Sequence, residues 1–408
     1  MSEHAQAAEP LFNPLSPDFI RDPYPAYERL RTLDPMHQTP FGSYLASRHA
    51  EASLVLRDKR FGKDFVDRTV RRYGPGIMEE PVFRSMRHWM LHQDPPDHTR
   101  LRGLVVKAFT ARRVEDMRPR IQHVVDETLD RVAPAGHMDL IEDFAFRLPV
   151  TIICDMLGIP EEHRERFYTN ARADGRLLDP VPLSPDEIKA ANEGNLAAQS
   201  YFQELFELRR SNPGDDLTTQ LVQAEEAGSK LTNEELTANI ILLFGAGHET
   251  TVNLIGNGLL ALYRNPDQLA LLKARPDLIT NAIEEFLRYD SSVQLTGRTA
   301  LEDIDDLGGR RILKGEGVLC LLGSANRDPA VYPDRPDQLD ITRPNVKPLS
   351  FGGGIHFCLG AQLARIEAEI AISTLLRRLP GLRLDNVENP EWRPTFVLRG
   401  LKRLPASW

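Results

Sequence analysis

Cysteine is scarce in this sequence, and the cysteines present follow no pairing pattern. Three occur in 408 residues, at Cys154, Cys320 and Cys358. They are far apart and no Cys-x-x-Cys spacing occurs, so the sequence offers neither a disulfide framework nor a zinc site of the usual spacing. This pattern suits a reducing compartment, and we expect a cytoplasmic protein.

Targeting segments, repeats and an excess of basic residues are also lacking. Residues 1–17 are polar and contain proline, without the apolar run of a signal peptide or membrane anchor. The net charge of −9 gives no general attraction to nucleic acid or to an anionic membrane surface. Hydrophobic residues make up 41% of the chain, enough for a sizeable core. We therefore expect neither nucleic acid nor a membrane as a partner.

One long apolar segment is present, from Leu231 to about Tyr263. Thr232 and Glu235 have the spacing of a capping box at its start. The segment predicts a helix of roughly 45 Å, and because it is apolar nearly all round, a buried central helix. Four polar residues argue against a membrane span: His248, Glu249, Asn253 and Asn257.

A glycine-rich loop at 351–360 ends close to Cys358 and precedes a helical pattern. Free N–H groups at a helix start favour an anion, so the cysteine is expected to be a thiolate, hence a nucleophile or a metal ligand. The glycines let a large flat group lie against the backbone. The alternative is a small buried hydrophobic side chain, the usual role of a lone cysteine. A dinucleotide-binding loop fits poorly, since the glycine spacing is wrong.

This loop resembles the haem-binding loop of the cytochrome P-450 family, on whose pattern five residues fall: Phe351, Gly354, His356, Cys358 and Gly360. The resemblance extends from about Pro23 to Pro405. It implies one large domain over 1–408, mainly α with small β-sheets and a β-rich N-terminal part. It also implies non-covalent haem b (iron protoporphyrin IX) between the helix at 233–263 and the loop at 351–360, with Cys358 as the iron ligand.

A second motif lies in the central helix, where residues 246–251 read Ala-Gly-His-Glu-Thr-Thr. Unpaired buried polar groups cost about 1–3 kcal/mol each, so the glutamate and the two threonines of this motif require either hydrogen-bond partners or a function. A threonine-bonded kink is one reading. The resemblance gives another, because the segment matches the family's (Ala/Gly)-Gly-x-(Asp/Glu)-Thr signature. It implies Ala246 and Gly247 beside the haem, Thr250 positioning dioxygen and its protons, and Glu249 relaying protons from solvent.

Cationic residues are the third feature. His98 and Arg102 are four apart after the helix-start signal at Asp97, and so share one helix face. They could form a solvated basic face. The resemblance implies instead that both donate to the haem propionates, together with Arg298 and His356, since a guanidinium fork matches a carboxylate.

An acid–base pair later in the chain is assigned to structure. Glu285 and Arg288 are three apart on one helix face, and such pairs at a surface are weak. In the family the corresponding pair is buried and joined by a later arginine, for which Arg343 is the candidate.

The substrate site is expected to be apolar. Residues 61–93 lack a steady period, and the family has a substrate-covering loop there. A lid is expected from helices at 161–173 and 186–210 joined by a breaker-rich loop. The predicted pocket residues are Met86, Met90, Leu91, Leu243, Val293, Leu295 and Val397.

The resemblance implies a monooxygenase that inserts one atom of O₂ into a hydrophobic small molecule. No reductase domain is visible, so a separate ferredoxin-type partner is implied, for which we suggest a basic patch of Arg100, Lys107, Arg112 and Arg113. Two alternatives stay open: a haem-thiolate protein with peroxide-driven or non-oxygenating activity, and a haem-free helical scaffold.

Overall fold

A computed structural model describes residues 10–40, 42–164, 174–226 and 231–408. Helices predominate, and within these ranges the α-helices are α1 (Pro17–Arg21), α2 (Tyr24–Leu33), α3 (His49–Arg57), α4 (Phe65–Tyr73), α5 (Pro81–Met86), α6 (Asp97–Val105), α7 (Ala111–Asp116), α8 (Arg118–Val132), α9 (Arg147–Leu157), α10 (Pro185–Ser211), α11 (Leu217–Glu226), α12 (Asn233–Arg264), α13 (Pro266–Ala274), α14 (Ile279–Tyr289), α15 (Leu322–Ala325) and α16 (Ala361–Arg378). A π-helical turn, Leu140–Ala145, precedes α9.

The strands are short and lie in small sheets. They are β1 (Met36–Gln38), β2 (Tyr44–Ala46), β3 (Phe61–Gly62), β4 (His137–Asp139), β5 (Leu295–Ala300), β6 (Ile304–Leu307), β7 (Arg310–Ile312), β8 (Gly317–Leu321), β9 (Arg383–Leu384), β10 (Glu391–Trp392), β11 (Leu401–Arg403) and β12 (Pro405–Ser407). The largest sheet has the order β1-β2-β8-β5-β3, with β2 and β8 parallel. The predicted class, mainly α with small sheets, is confirmed.

Helix α12 is the long central helix predicted from the apolar segment. The hydroxyl of Thr232 accepts from the N–H of Glu235, whose carboxylate accepts from the N–H of Thr232, so the capping box is present. The helix is buried along most of its length and packs against α9, α14 and α16. Within the described ranges, no helix is both long and apolar enough to cross a bilayer.

The start of α6 and the segment at 61–93 differ from the sequence prediction. Residues 61–93 contain α4, α5 and two 3-10 turns. Each helix has only two or three turns, too few to give one period over the whole stretch. The helix-start signal at 94–97 suggests Asp97 as the N-cap of α6, but Asp97 is its first residue and Pro96 is the N-cap, so the suggested position was wrong by one. Helices α11 and α13 were not predicted.

Of the two helices predicted to form a lid, the second is present, and its role as a lid stays a prediction. Helix α10 begins with a capping box between Ser184 and Glu187. Most of the predicted helix at 161–173 lies outside the described residues. In its described part, Glu161–His163 form a 3-10 turn.

The acid–base pair at the end of α14 is fully buried. Arg288 donates through Nε to Glu285 Oε2 at 2.7 Å and through Nη2 to Glu285 Oε1 at 2.8 Å. Arg343 also donates to Glu285 Oε1, at 3.4 Å. The guanidinium of Arg288 satisfies its other N–H groups on backbone carbonyls of residues 326, 336 and 338. These contacts tie α14 to the irregular stretch before the cysteine loop, consistent with a structural role.

Candidate functional site

A cavity lies between α12 and the loop at 351–360. Most of the predicted cofactor residues line it: His98, Arg102, Ala246, Gly247, Arg298, Phe351, His356, Cys358 and Gly360. Thr250 lines it as well. The structure therefore brings three separate sequence motifs, from α6, α12 and the glycine-rich loop, to one internal space.

The loop before Cys358 holds its shape through glycine conformations and backbone hydrogen bonds. The N–H of Cys358 donates to the carbonyl of Phe351 at 2.9 Å. Gly352 and Gly354 have φ of +70° and +65°, which side chains other than glycine rarely adopt. A Cβ at Gly354 would also lie 2.4 Å from the carbonyl oxygen of Leu56. The loop thus packs against the end of α3 and presents the sulfur close to the first turn of α16.

In the polypeptide without a bound metal, the pKa of the Cys358 thiol is raised, whereas the helix start alone predicts a lowered one. The thiol has accessible surface and lines the cavity. Removal from bulk water raises its pKa, and three donors oppose this rise: the N–H of Gly360 and the guanidinium groups of Arg102 and Arg365. Desolvation therefore outweighs the helix start. A metal ion on the sulfur would supply the missing positive charge and hold the thiolate.

One edge of the cavity is cationic and short of acceptors. The rings of His98 and His356 have centroids 4.3 Å apart, and Nε2 of each is buried without a hydrogen-bond partner. Arg298 donates to the carbonyl of Gly297 at 3.0 Å, on its own strand. Burial first, then the nearby cations, lower the pKa of His98 to about 4 and lower that of His356 further. This edge is built to receive negative charge.

Two further cations complete the edge. Arg102 donates to the carbonyl of Phe357 at 2.7 Å, which ties α6 to the cysteine loop. Lys63, which the sequence analysis did not identify, also lines the cavity and is 4% exposed. It follows β3, which pairs with β5 beside Arg298. No local signal marks this lysine, since only strand pairing between distant segments brings it here.

Thr250 and Glu249 occupy different surroundings. The Thr250 hydroxyl donates to the carbonyl of Ala246 at 3.2 Å and lines the cavity. Glu249 is buried outside the lining, with its carboxylate against Gly175, where a Cβ would lie 2.9 Å from Oε1. Glu249 therefore stands between α12 and the segment that precedes α10.

Gly247 allows two helices to approach at the cavity edge. A Cβ there would lie 3.1 Å from side-chain carbons of Ile153 on α9. Both residues line the cavity. The absent side chain therefore serves helix packing, in addition to the space beside the cofactor that the resemblance implies.

Glu367 on α16 is a second residue that the sequence analysis missed. It is buried and lines the cavity, and burial raises its pKa to about 8, against the effect of a hydrogen bond with Thr251. The carboxyl group is therefore protonated at neutral pH. A signal did exist, because an acid on the apolar face shared with Leu363 and Ile370 is unusual in an amphipathic helix.

The predicted substrate residues divide into two groups. Met90, Leu91, Leu243 and Val293 line the cavity. Met86 lies in the main core, and Leu295 and Val397 pack in a separate cluster with Phe19 and Tyr27. For Leu295 the reason is strand alternation, since Thr296 and Arg298 face the cavity. Unpredicted apolar wall residues are Phe109, Pro149, Ile153, Leu242, Leu254, Leu287 and Leu322.

Haem b fits this arrangement. Its two propionates would supply the acceptors that the buried Nε2 atoms of His98 and His356 lack. The apolar walls suit the macrocycle, and one cysteine sulfur reaches the cavity to bind iron. A thiol on the wall, an apolar interior and a cationic edge together define a haem-thiolate site.

Comparison with known proteins agrees with this class. The family model described as Cytochrome P450 matches residues 61–274 and 273–400. A putative cytochrome P450 133B2 from Xylella fastidiosa is 41% identical over 392 residues, covering 96% of this chain and 98% of the relative. The cytochrome P450 monooxygenase PikC from Streptomyces venezuelae is 44% identical over 404 residues, covering 97% and 93%. The chain belongs to the cytochrome P450 family.

A solved structure shows the same fold. The crystal structure of P450BioI in complex with hexadec-9Z-enoic acid ligated acyl carrier protein superposes with a TM-score of 0.89 and 40% identity, covering 96% of this chain and all of that one. Family members bind haem b through a cysteine thiolate. The protein is therefore a haem-dependent oxidoreductase of the monooxygenase class.

Proposed function

We propose that the protein inserts one oxygen atom from O₂ into a hydrophobic small molecule, and that Cys358 would bind the iron of haem b. The observation that carries this proposal is the position of Cys358 and Thr250 on the walls of one cavity with a cationic edge. An apolar interior between them leaves room for substrate close to the reacting centre. Arg298, His98 and His356 are the residues that would hold the propionates.

The bound haem supplies the reductive activation of dioxygen, with the thiolate favouring O–O cleavage. Thr250 commits its hydroxyl proton to the carbonyl of Ala246, so its oxygen can accept a hydrogen bond from a group in the cavity. Glu249, buried beside Gly175, can hold a proton between the lid side and α12. We assign to this pair the orientation and supply of protons in the general acid role.

Replacing Thr250 with alanine is expected to uncouple reductant use from product formation. The variant should still consume reductant, but product per reductant should fall by roughly tenfold or more, because the positioned hydroxyl is lost. Thr250→Ser keeps the hydroxyl and should retain most of the coupling. Product and reductant are measured together with a substrate that shifts the haem absorption band. Undiminished coupling in Thr250→Ala would overturn the proton assignment.

The substrate for this test comes from titration of the ferric protein. The apolar lining favours a hydrophobic ligand. Relatives include a vitamin D(3) 25-hydroxylase from Pseudonocardia autotrophica and a biotin biosynthesis cytochrome P450 from Bacillus subtilis. Macrolides, terpenoids, steroids, fatty acyl compounds and aromatics are the classes to titrate, and a saturable spectral shift with one class identifies the chemotype.

We further propose that electrons arrive from a ferredoxin-type partner that docks on an exposed basic surface. Lys107, Arg112 and Arg113 are exposed, and Arg112 has only a 4.0 Å pair with Asp116. Arg100, which we had included in this patch, is instead held by Glu235 and Asp97, at 2.5 and 2.8 Å, and is withdrawn. Its charge is neutralised within the protein.

Reversing two charges of this surface, with Arg112→Glu and Arg113→Glu, is expected to slow reduction of the haem by a ferredoxin roughly tenfold at low salt. The difference should shrink at high ionic strength because salt screens exposed charges. Arg403→Glu, at an exposed arginine on β11, is the control. Stopped-flow spectroscopy across a salt series measures the rate of haem reduction for each variant. Equal rates for all variants at low salt would remove this surface from the proposal.

A further inference from the structure

Lys63 is a buried lysine on the cavity wall for which neither the motifs nor the comparisons give a role. Its side chain is 4% exposed, although lysine is almost never fully buried unless it is paired. It lines the same cavity as Arg298 and His356. A charged group in this position needs a partner, because an unpaired buried charge costs several kcal/mol.

The protein itself provides little for the Lys63 ammonium group. Nζ donates to the carbonyl of Gly297 at 3.4 Å, a long contact. The nearby carboxylate of Asp94 accepts from the backbone N–H of Lys63, at 2.8 Å. Among the described residues, Lys63 forms no ion pair with any carboxylate. Two of its three ammonium hydrogens are therefore left to groups that the polypeptide does not supply.

The charges around Lys63 also show that the polypeptide supplies no sufficient anion for its ammonium group. Burial first, then Arg298 and Arg68, lower the pKa of Lys63 well below its usual range, and only Asp94 and Cys320 oppose this. Lys63 in turn depresses the pKa of His356. The edge of the cavity thus lacks negative charge, and Lys63 adds a fourth hydrogen-bond donor to His98, Arg298 and His356.

We propose that Lys63 is a further ligand of a haem propionate and positions the cofactor edge from the β3 side. This inference rests on the haem site of the proposed function. Two propionates carry two negative charges, and four donors from four parts of the chain line the cavity where they would lie. Lys63 approaches after β3, whereas Arg298 lies on β5 and His356 in the cysteine loop. Donors from several elements would together hold the cofactor in one orientation.

The test is the rate of haem loss from the ferric holoprotein to excess apomyoglobin. Lys63→Met keeps the length of the side chain and removes the charge. We expect haem dissociation to accelerate roughly tenfold to a hundredfold, the factor that follows from losing a charge-assisted hydrogen bond. Lys59→Met, at an exposed lysine four residues earlier, should leave the rate unchanged. Lys63→Arg should restore slow dissociation at least in part.

A second readout separates a propionate ligand from a buried structural lysine. Loss of a positive charge beside the cofactor should lower the ferric/ferrous midpoint potential of Lys63→Met relative to Lys59→Met. Wild-type values of both haem loss and potential in Lys63→Met would overturn this proposal. If Lys63→Met fails to fold, Lys63→Gln gives the same comparison. Wild-type protein lacking the thiolate signature in its ferrous carbon monoxide spectrum would overturn the proposed function instead.

Discussion

Cys358→Ala is expected to abolish product formation, to the level of a reaction without enzyme, and to remove the thiolate signature from the ferrous carbon monoxide spectrum. Among the described residues that line the cavity, Cys358 is the only cysteine, so no other thiol there can supply a thiolate ligand. Without the thiolate, the electron donation that favours O–O cleavage is lost. Spectra and product yield are measured on protein prepared with excess haem.

The control for this experiment is Cys154→Ala. Cys154 is buried on α9 outside the cavity lining, and burial raises the pKa of its thiol to about 12, as expected for an inert core cysteine. The variant should keep the wild-type spectrum and lose only about 1 kcal/mol of stability from the removed sulfur. A Cys358→Ala protein with an intact thiolate spectrum would contradict the assignment of the ligand.

Glu285→Ala is expected to lower the free energy of unfolding by about 3–5 kcal/mol. The carboxylate has no exposed surface and accepts from Arg288 and Arg343, so its removal leaves two buried cations without their anion. Since domains are commonly stable by about 5–15 kcal/mol, the variant should accumulate poorly as holoprotein. Urea unfolding followed by circular dichroism measures the loss, and haem content per protein reports the folded yield.

The adjacent residue provides a matched comparison. Glu284 pairs with Arg365 in a partly exposed position, with side chains 20% and 28% exposed. Glu284→Ala should cost under about 1 kcal/mol, because both charges remain hydrated after the change. Equal losses of unfolding free energy in the two alanine variants would show that burial does not determine the cost of removing Glu285.

The sequence predicts best those elements that depend on residues close together in the chain. The capping box of α12 and the long apolar helix follow from residues close together in the chain, and both are confirmed. The helix at 185–211 was predicted within one residue at each end. The glycine-rich loop and the residues after it likewise indicated the site, because their spacing is itself the motif.

Errors arose where distant segments meet. The sequence suggests Arg100 as part of a basic docking patch, but Glu235, 135 positions later in the chain, pairs with it. Leu295 was assigned to the pocket, although the pairing of β5 with β8 turns it to the opposite face. Lys63 was missed because only the contact of β3 with β5 brings it to the cofactor edge. The pKa of the Cys358 thiol likewise depends on desolvation by the surrounding cavity wall, which no local spacing reports.

The protonated acid on α16 also links folding to proton uptake. The Glu367 carboxyl titrates near 4.5 when exposed and near 8 in the folded protein, so folding takes up a proton between these pH values. Stability from this group is greatest below pH 4.5 and falls by about 1.4 kcal/mol per pH unit as pH rises toward 8. Alkaline conditions therefore place a desolvated charge between α16 and α12, which the hydrogen bond from Thr251 offsets only in part. The helix that follows the cysteine loop is accordingly held most firmly in acid.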